Sequence, residues 1–190
     1  MGYHRAGFEV VGVDINPQPH YPFEFHQGDA MTWPLGGFDA IHASPPCQDH
    51  MLTPHPKHGT GWLLDATRQL LTEQPLPWVI ENVGRGIRAD YRICGCQVGL
   101  KLRRVRLFET SWHGFYMMPP HRHTEPVVSV VGRGTPTWVR EKWAARFGHD
   151  PTIADYREAM GIDWMNRVEL SQAIPPAYTE LVGRQLIAQL

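Results

Sequence analysis

The chain has 190 residues, enough for one well-buried domain and short for two. Hydrophobic residues make up 42% and charged residues 19%, a balance that excludes a disordered chain. With 18 Lys and Arg against 19 Asp and Glu, the formal charge of -1 provides no overall basic field for nucleic acid, so any such binding must come from a local patch. Three cysteines, an odd number, exclude a disulfide framework and point to a reduced, cytoplasmic setting. No apolar run approaches the roughly 20 residues that span a bilayer. The opening MGYHRAGF lacks the apolar core of a signal peptide.

Residues 8–13 form a short apolar run ending in Asp14, and Pro17 and Pro19 prevent its continuation. A weaker strand at 23–26 leads into Gly28-Asp29. Residues 38–43 are another apolar run, closed by Ser44-Pro45-Pro46. Residues 61–73 have helical spacing, with Leu64, Leu70 and Leu71 near one face. Residues 78–80 read as a brief buried strand followed by Glu81-Asn82. Strands separated by helices or longer crossings predict an α/β fold with a mostly parallel sheet. Ligands of such sheets bind at the carboxyl ends of the strands.

From about Gly84 the alternation is lost. Strands are expected at 105–108 and 127–131, and helices at 136–147 and 151–160. The second of these helices has Thr152 as its N-cap and Asp155 in its first turns. A last helix over 175–190 places Val182, Leu186 and Leu190 on one face. The pattern predicts one domain, 1–190, with an irregular insert.

Three segments carry chemistry. In Ala43-Ser44-Pro45-Pro46-Cys47-Gln48 a cysteine follows a strand behind two prolines, on a stiff loop that faces the ligand side of the sheet. Cys47 is either a nucleophile or a small buried hydrophobe. In Val79-Ile80-Glu81-Asn82-Val83 a carboxylate ends an apolar strand, where partial burial would raise its pKa and suit it to donate a proton. In Leu102-Arg103-Arg104-Val105-Arg106-Leu107-Phe108-Glu109, strand alternation puts Arg104 and Arg106 on one face. Two adjacent guanidinium groups suit phosphates or a carbonyl oxygen that gains charge, and a solvated basic edge strand has the same pattern.

The order Pro46-Cys47-Gln48, Glu81-Asn82-Val83, Arg104-x-Arg106 resembles the core motifs of the DNA cytosine-C5 methyltransferases. Residues 10–16, Gly28-Asp29-Ala30 and Gln172-Ala173-Ile174-Pro175-Pro176 resemble further motifs of that family. The resemblance covers most of the chain outside 111–152 and is to the phage or bacterial type. It implies a Rossmann-like fold, AdoMet as cofactor and DNA as partner. It implies that Cys47 attacks C6 of cytosine, that Glu81 acts at N3, and that Arg106, with Arg104, stabilises charge at O2. Asp14, Ile15, Asp29, Ala30, Pro46 and Gln172 would then hold AdoMet, and Pro46, Gln48 and Asn82 would contact the target base. Residues 1–110 would be the catalytic core, 111–165 a small target-recognition insert, and 166–190 a final motif and helix returning to the core.

Two departures from the family accompany this likeness. The Phe-x-Gly-x-Gly turn and the strand before it have no counterpart, so roughly a dozen residues are expected to be missing ahead of a helix tail at 1–7. Either the start lies further upstream, which is favoured, or this form is impaired in cofactor binding and is a non-catalytic DNA-binding relative. A third reading is an enzyme of free pyrimidine nucleotides. The insert is also small, which implies a short or loose target sequence. Arg133, Arg140, Lys142 and Arg146 could contact phosphates or line a solvated helix face. Cys94-x-Cys96 with His113, His121 and His123 suggests zinc, but the one-residue Cys spacing argues against it, and no metal is expected. Trp33, Trp62, Trp112, Trp138, Trp143 and Trp164 are expected to be mostly core or packing residues.

Overall fold

The structure, a computed structural model, describes residues 1–46, 59–114, 117–124, 126–130 and 136–190. Among them the chain runs α1 (Gly2–Arg5), β1 (Val11–Asp14), β2 (Glu24–Gln27), β3 (Ile41–Ala43), α2 (Trp62–Thr72), β4 (Trp78–Asn82), β5 (Tyr91–Cys94) and β6 (Val105–Thr110). Four helices follow: α3 (Thr137–Phe147), α4 (Ile153–Met160), α5 (Arg167–Gln172) and α6 (Pro176–Leu186). No helix among the described residues is long and apolar enough to cross a membrane.

The chain divides into two compact units. A sheet unit comprises Val10–Arg92, Arg106–Tyr116 and Gln185–Leu190, and a helical unit comprises Met1–Glu9, Ile93–Val105 and Met117–Arg184. These limits differ from the sequence divisions at 110 and 165, because Ile93–Val105, which starts within β5, groups with the later helices.

In the sheet unit β1 and β2 pair in parallel, with Asp14 opposite Gln27. A second sheet has the order β3-β4-β6-β5. Its β3 and β4 are parallel, and its β4 and β6 are antiparallel with Glu81 opposite Phe108. The sheets are thus mixed, with two parallel registers and one antiparallel one. All five β4 residues are buried, which fits a strand paired on both edges and covered on both faces. Leu64 and Leu71 of α2 pack with Trp78 and Ile80 of β4. The helix forms because Leu64, Thr67 and Leu71 recur at helical spacing and turn one stripe inward. Glu81 and Asn82 lie inside β4, two residues further along than the sequence suggests.

The helical unit is built around Leu102, Val128, Val130, Trp143, Met160 and Leu170. Thr152 caps α4 as expected: its Oγ1 accepts from Asp155 N at 3.3 Å, and Asp155 Oδ2 accepts from Thr152 N at 2.7 Å. Asn166 and Glu169 form the same reciprocal box at α5. Gly183 lets α1 lie against α6, since a Cβ there would sit 2.9 Å from Ala6 Cβ. The strand expected at 127–131 reduces to one bridge between Leu102 and Val128 among the described residues. An apolar run alone does not supply a ladder partner.

Candidate functional site

Strand geometry brings Glu81 and Arg106 together. Glu81 lies directly opposite Phe108, and Arg106 is two residues before Phe108, so the two share one face as a diagonal pair. Arg106 Nε is 2.6 Å from Glu81 Oε1, and both side chains are largely buried. This is a close ion pair in low-dielectric surroundings, where the attraction between the two charges rises.

Asn82 is 1% exposed. Its Nδ2 donates to Pro45 O at 3.0 Å, and its Oδ1 accepts from Val83 N at 2.8 Å. The amide expected to contact a base is thus engaged with the backbone just ahead of Cys47. Parallel pairing of β3 and β4 makes this possible, because both strands end at the same edge. Pro46 is exposed. Cys47 and Gln48 lie outside the described residues.

On the opposite face of the β4–β6 ladder is a second ion pair that sequence reasoning missed. Glu109 Oε1 accepts from Arg68 Nε at 2.8 Å, and Oε2 accepts from Arg68 Nη2 at 2.9 Å and from Arg88 N at 3.1 Å. This carboxylate fixes α2 and the segment around Arg88 to β6. Arg68 falls within the apolar spacing of α2 and Glu109 three residues beyond Arg106, so only the register reveals the pair. His42 of β3 was also missed. Its Nε2 lies 2.9 Å from Ser44 Oγ, and burial pushes its pKa down to about 4.

Asp14 and Asp29 stand at the carboxyl ends of the adjacent parallel strands β1 and β2. Asp14 Oδ1 accepts from Asn16 N at 2.8 Å, and Asp29 Oδ1 accepts from Met31 N at 2.9 Å. Each turn therefore presents a carboxylate in a fixed orientation. Between them in sequence, Ile15 is 67% exposed, and its carbonyl accepts from Gln27 Nε2 at 3.0 Å. Ala30 is exposed beside Asp29.

Arg104 departs from its expected role. The strand begins at Val105, and Arg104 is buried in the helical unit. Its guanidinium donates to the carbonyls of Val130, Ser171 and Ala173, the last two at 2.8 and 2.9 Å. Its own carbonyl accepts from the Tyr178 hydroxyl at 2.6 Å. Those bonds hold Arg104 to the residues around α5 and α6 within the helical unit. Gln172 ends α5 and is exposed.

The helical unit also carries a basic groove of about 500 Å³, lined among others by Arg103, Trp138, Lys142 and Arg146. Arg103 and Lys142 lie 5.2 and 5.6 Å from the Trp138 ring centroid. Arg140 is instead paired with Asp150, and Arg133 is outside the described residues. Trp62 and Trp138 are 63% and 45% exposed, whereas Trp143 is buried.

No family model matches the chain, and no curated protein matches it. The structure is similar to that of a triple mutant of Spodoptera frugiperda DNMT2, with a TM-score of 0.62 and 13% sequence identity, covering 98% of this chain and 96% of that one. The chain therefore has a mixed α/β fold similar to that protein's.

Proposed function

We propose that the chain is an AdoMet-dependent methyltransferase that acts at C5 of cytosine in DNA through a covalent bond from Cys47 to C6. One observation carries this reading: the buried Glu81–Arg106 pair is next in sequence to Asn82, whose side chain grips the carbonyl two residues before Cys47. An acid, a cation and the approach to a thiol thus come from the ends of neighbouring strands in one unit.

In this scheme the Cys47 thiolate adds to C6, and the 5,6 π pair moves to C5. Glu81 hydrogen-bonds to N3 and protonates it, and Arg106 stabilises the charge that grows at O2. Bound AdoMet supplies the electrophilic methyl group. Loss of the C5 proton to a water molecule restores the 5,6 double bond and expels the Cys47 thiolate, and N3 returns its proton to Glu81. The base must first leave the duplex, at a cost of a few kcal/mol.

The β1 and β2 ends suit an adenosine moiety. Two carboxylates are acceptors for ribose hydroxyls and an amino group, and the exposed Ile15 offers an apolar surface to a ring. Asp14 would hold the ribose, Asp29 the adenine amino group, and Ile15 and Ala30 the ring faces. Arg103, Lys142 and Arg146 would hold phosphates.

The test is adduct trapping. DNA that contains 5-fluorocytosine, incubated with AdoMet and the chain, should give a denaturant-resistant complex that Cys47→Ser does not form. The same probe in RNA serves as the comparison arm. Binding of AdoMet without an adduct on either polymer would sink the covalent scheme.

A further inference from the structure

The helical unit holds a cluster that the methyl-transfer scheme does not use. Cys94, Cys96, His121 and His123 each point one ligand atom inward, and these four atoms all lie within 4.8 Å of one another. Cys94 Sγ is 3.6 Å from His123 Nε2, and His121 Nε2 is 3.2 Å from His123 Nε2. A tetrahedral zinc ion with bonds of about 2.3 Å to sulfur and 2.0–2.1 Å to nitrogen separates a sulfur from a nitrogen ligand by about 3.5 Å, and two nitrogens by about 3.3 Å. The observed spacings match both.

We infer that Cys94, Cys96, His121 and His123 form a structural zinc site. Four protein ligands close the tetrahedron and leave no position for water or substrate, which separates such a site from a catalytic one. Two thiolates balance the charge of the ion, and two protons leave the thiols as it binds.

The local fold supports the assignment. Cys94 ends β5 and Cys96 sits in the following 3-10 turn, Gly95–Val98, which brings a one-residue spacing into one ligand set. Gly95 is required there, because a Cβ would collide with Leu102 O. Gly99, with φ 77, closes the turn. Gln97 clips the two halves together: its Oε1 accepts from Cys94 N at 2.9 Å, and its Nε2 donates to Pro119 O at 2.9 Å. The described residues 117–124 have no helix or strand of their own, and Met117 is 79% exposed. An ion would anchor this segment, and His123 also lines the basic groove. His113 is not part of the cluster. The one-residue spacing of the cysteines, which argues against zinc in the sequence, is accommodated because a strand end and a tight turn present the two sulfurs.

The experiment uses the whole chain, purified without chelator. Elemental analysis should give about one zinc per chain. Replacement by cobalt should give thiolate-to-metal charge transfer in the near ultraviolet and the strong visible bands of a tetrahedral ion. Cys96→Ser should weaken the charge-transfer band, and His121→Asn, at an exposed position, should lower metal retention without disturbing the core. A strong chelator should lower the melting temperature of the wild type and leave that of His121→Asn nearly unchanged. A folded wild-type chain with only traces of zinc and no cobalt–thiolate band would overturn the proposal. None of these readouts depends on AdoMet or nucleic acid, so they are independent of the methyltransferase reading.

Discussion

Asn82 Nδ2 donates to Pro45 O at 3.0 Å, so the side chain that ends β4 fixes the backbone that leaves β3. Asn82 is buried and Pro45 partly so, and loss of the donor takes away the carbonyl's partner. Asn82→Ala should cost about 1–3 kcal/mol in denaturant unfolding. Because the held loop leads to Cys47, the rate of adduct formation per folded chain should fall by about 10²-fold. Equal adduct rates in the two proteins would disconnect Asn82 from the thiol.

Arg106 and Arg104 should separate cleanly. Arg106→Ala removes a cation beside Glu81 and should lower turnover by about 10²–10³-fold at saturating AdoMet. Arg104→Ala leaves three backbone carbonyls without their donor and should act on stability, with turnover per folded molecule nearly unchanged. Unfolding curves combined with active-site titration distinguish the two outcomes.

Glu109→Gln removes the negative charge beside the Arg68 guanidinium, 28% exposed, and turns one accepting oxygen into a donor that faces other donors. The expected loss is about 3 kcal/mol, at the lower end for a broken buried pair because Arg68 retains some solvent and Asp65. Trapping on 5-fluorocytosine should persist in the folded fraction. A variant as stable as the wild type would show that the pair contributes nothing net.

His42 gives a pH dependence with a defined sign. Its folded-state pKa of about 4 lies below the ordinary value of 6.5, so the unfolded chain takes up the proton first. Its contribution is constant above pH 6.5, stability falls as the pH drops from 6.5 to 4, and the loss levels off below that. The total is on the order of 2–3 kcal/mol. Urea midpoints measured across this range should have a smaller slope in His42→Gln than in the wild type.

Much of the sheet unit is legible from residue order alone. The runs that end in Asp14, Gly28 and Ser44 become β1, β2 and β3, and the leucine spacing of 61–73 becomes α2, because strand and helix periods differ and breakers mark their ends. The β5 strand was missed because Tyr91-Arg92-Ile93-Cys94 has little apolar length, and α5 because six residues show barely two turns of periodicity. The Asn166-x-x-Glu169 box is the signal that would have found α5. Glu81 and Arg106 were legible as candidates, but their pairing needed the β4–β6 register. Arg104 misled because parity along a strand says nothing about a residue one step before the strand begins.

The indole of Trp138 lies close to two positively charged side chains while 45% of the residue meets solvent. Its fluorescence therefore responds to where those charges are. A polyanion that drew Arg103 and Lys142 away from the ring would change the emission without any added dye, and raising the salt concentration would reverse the change.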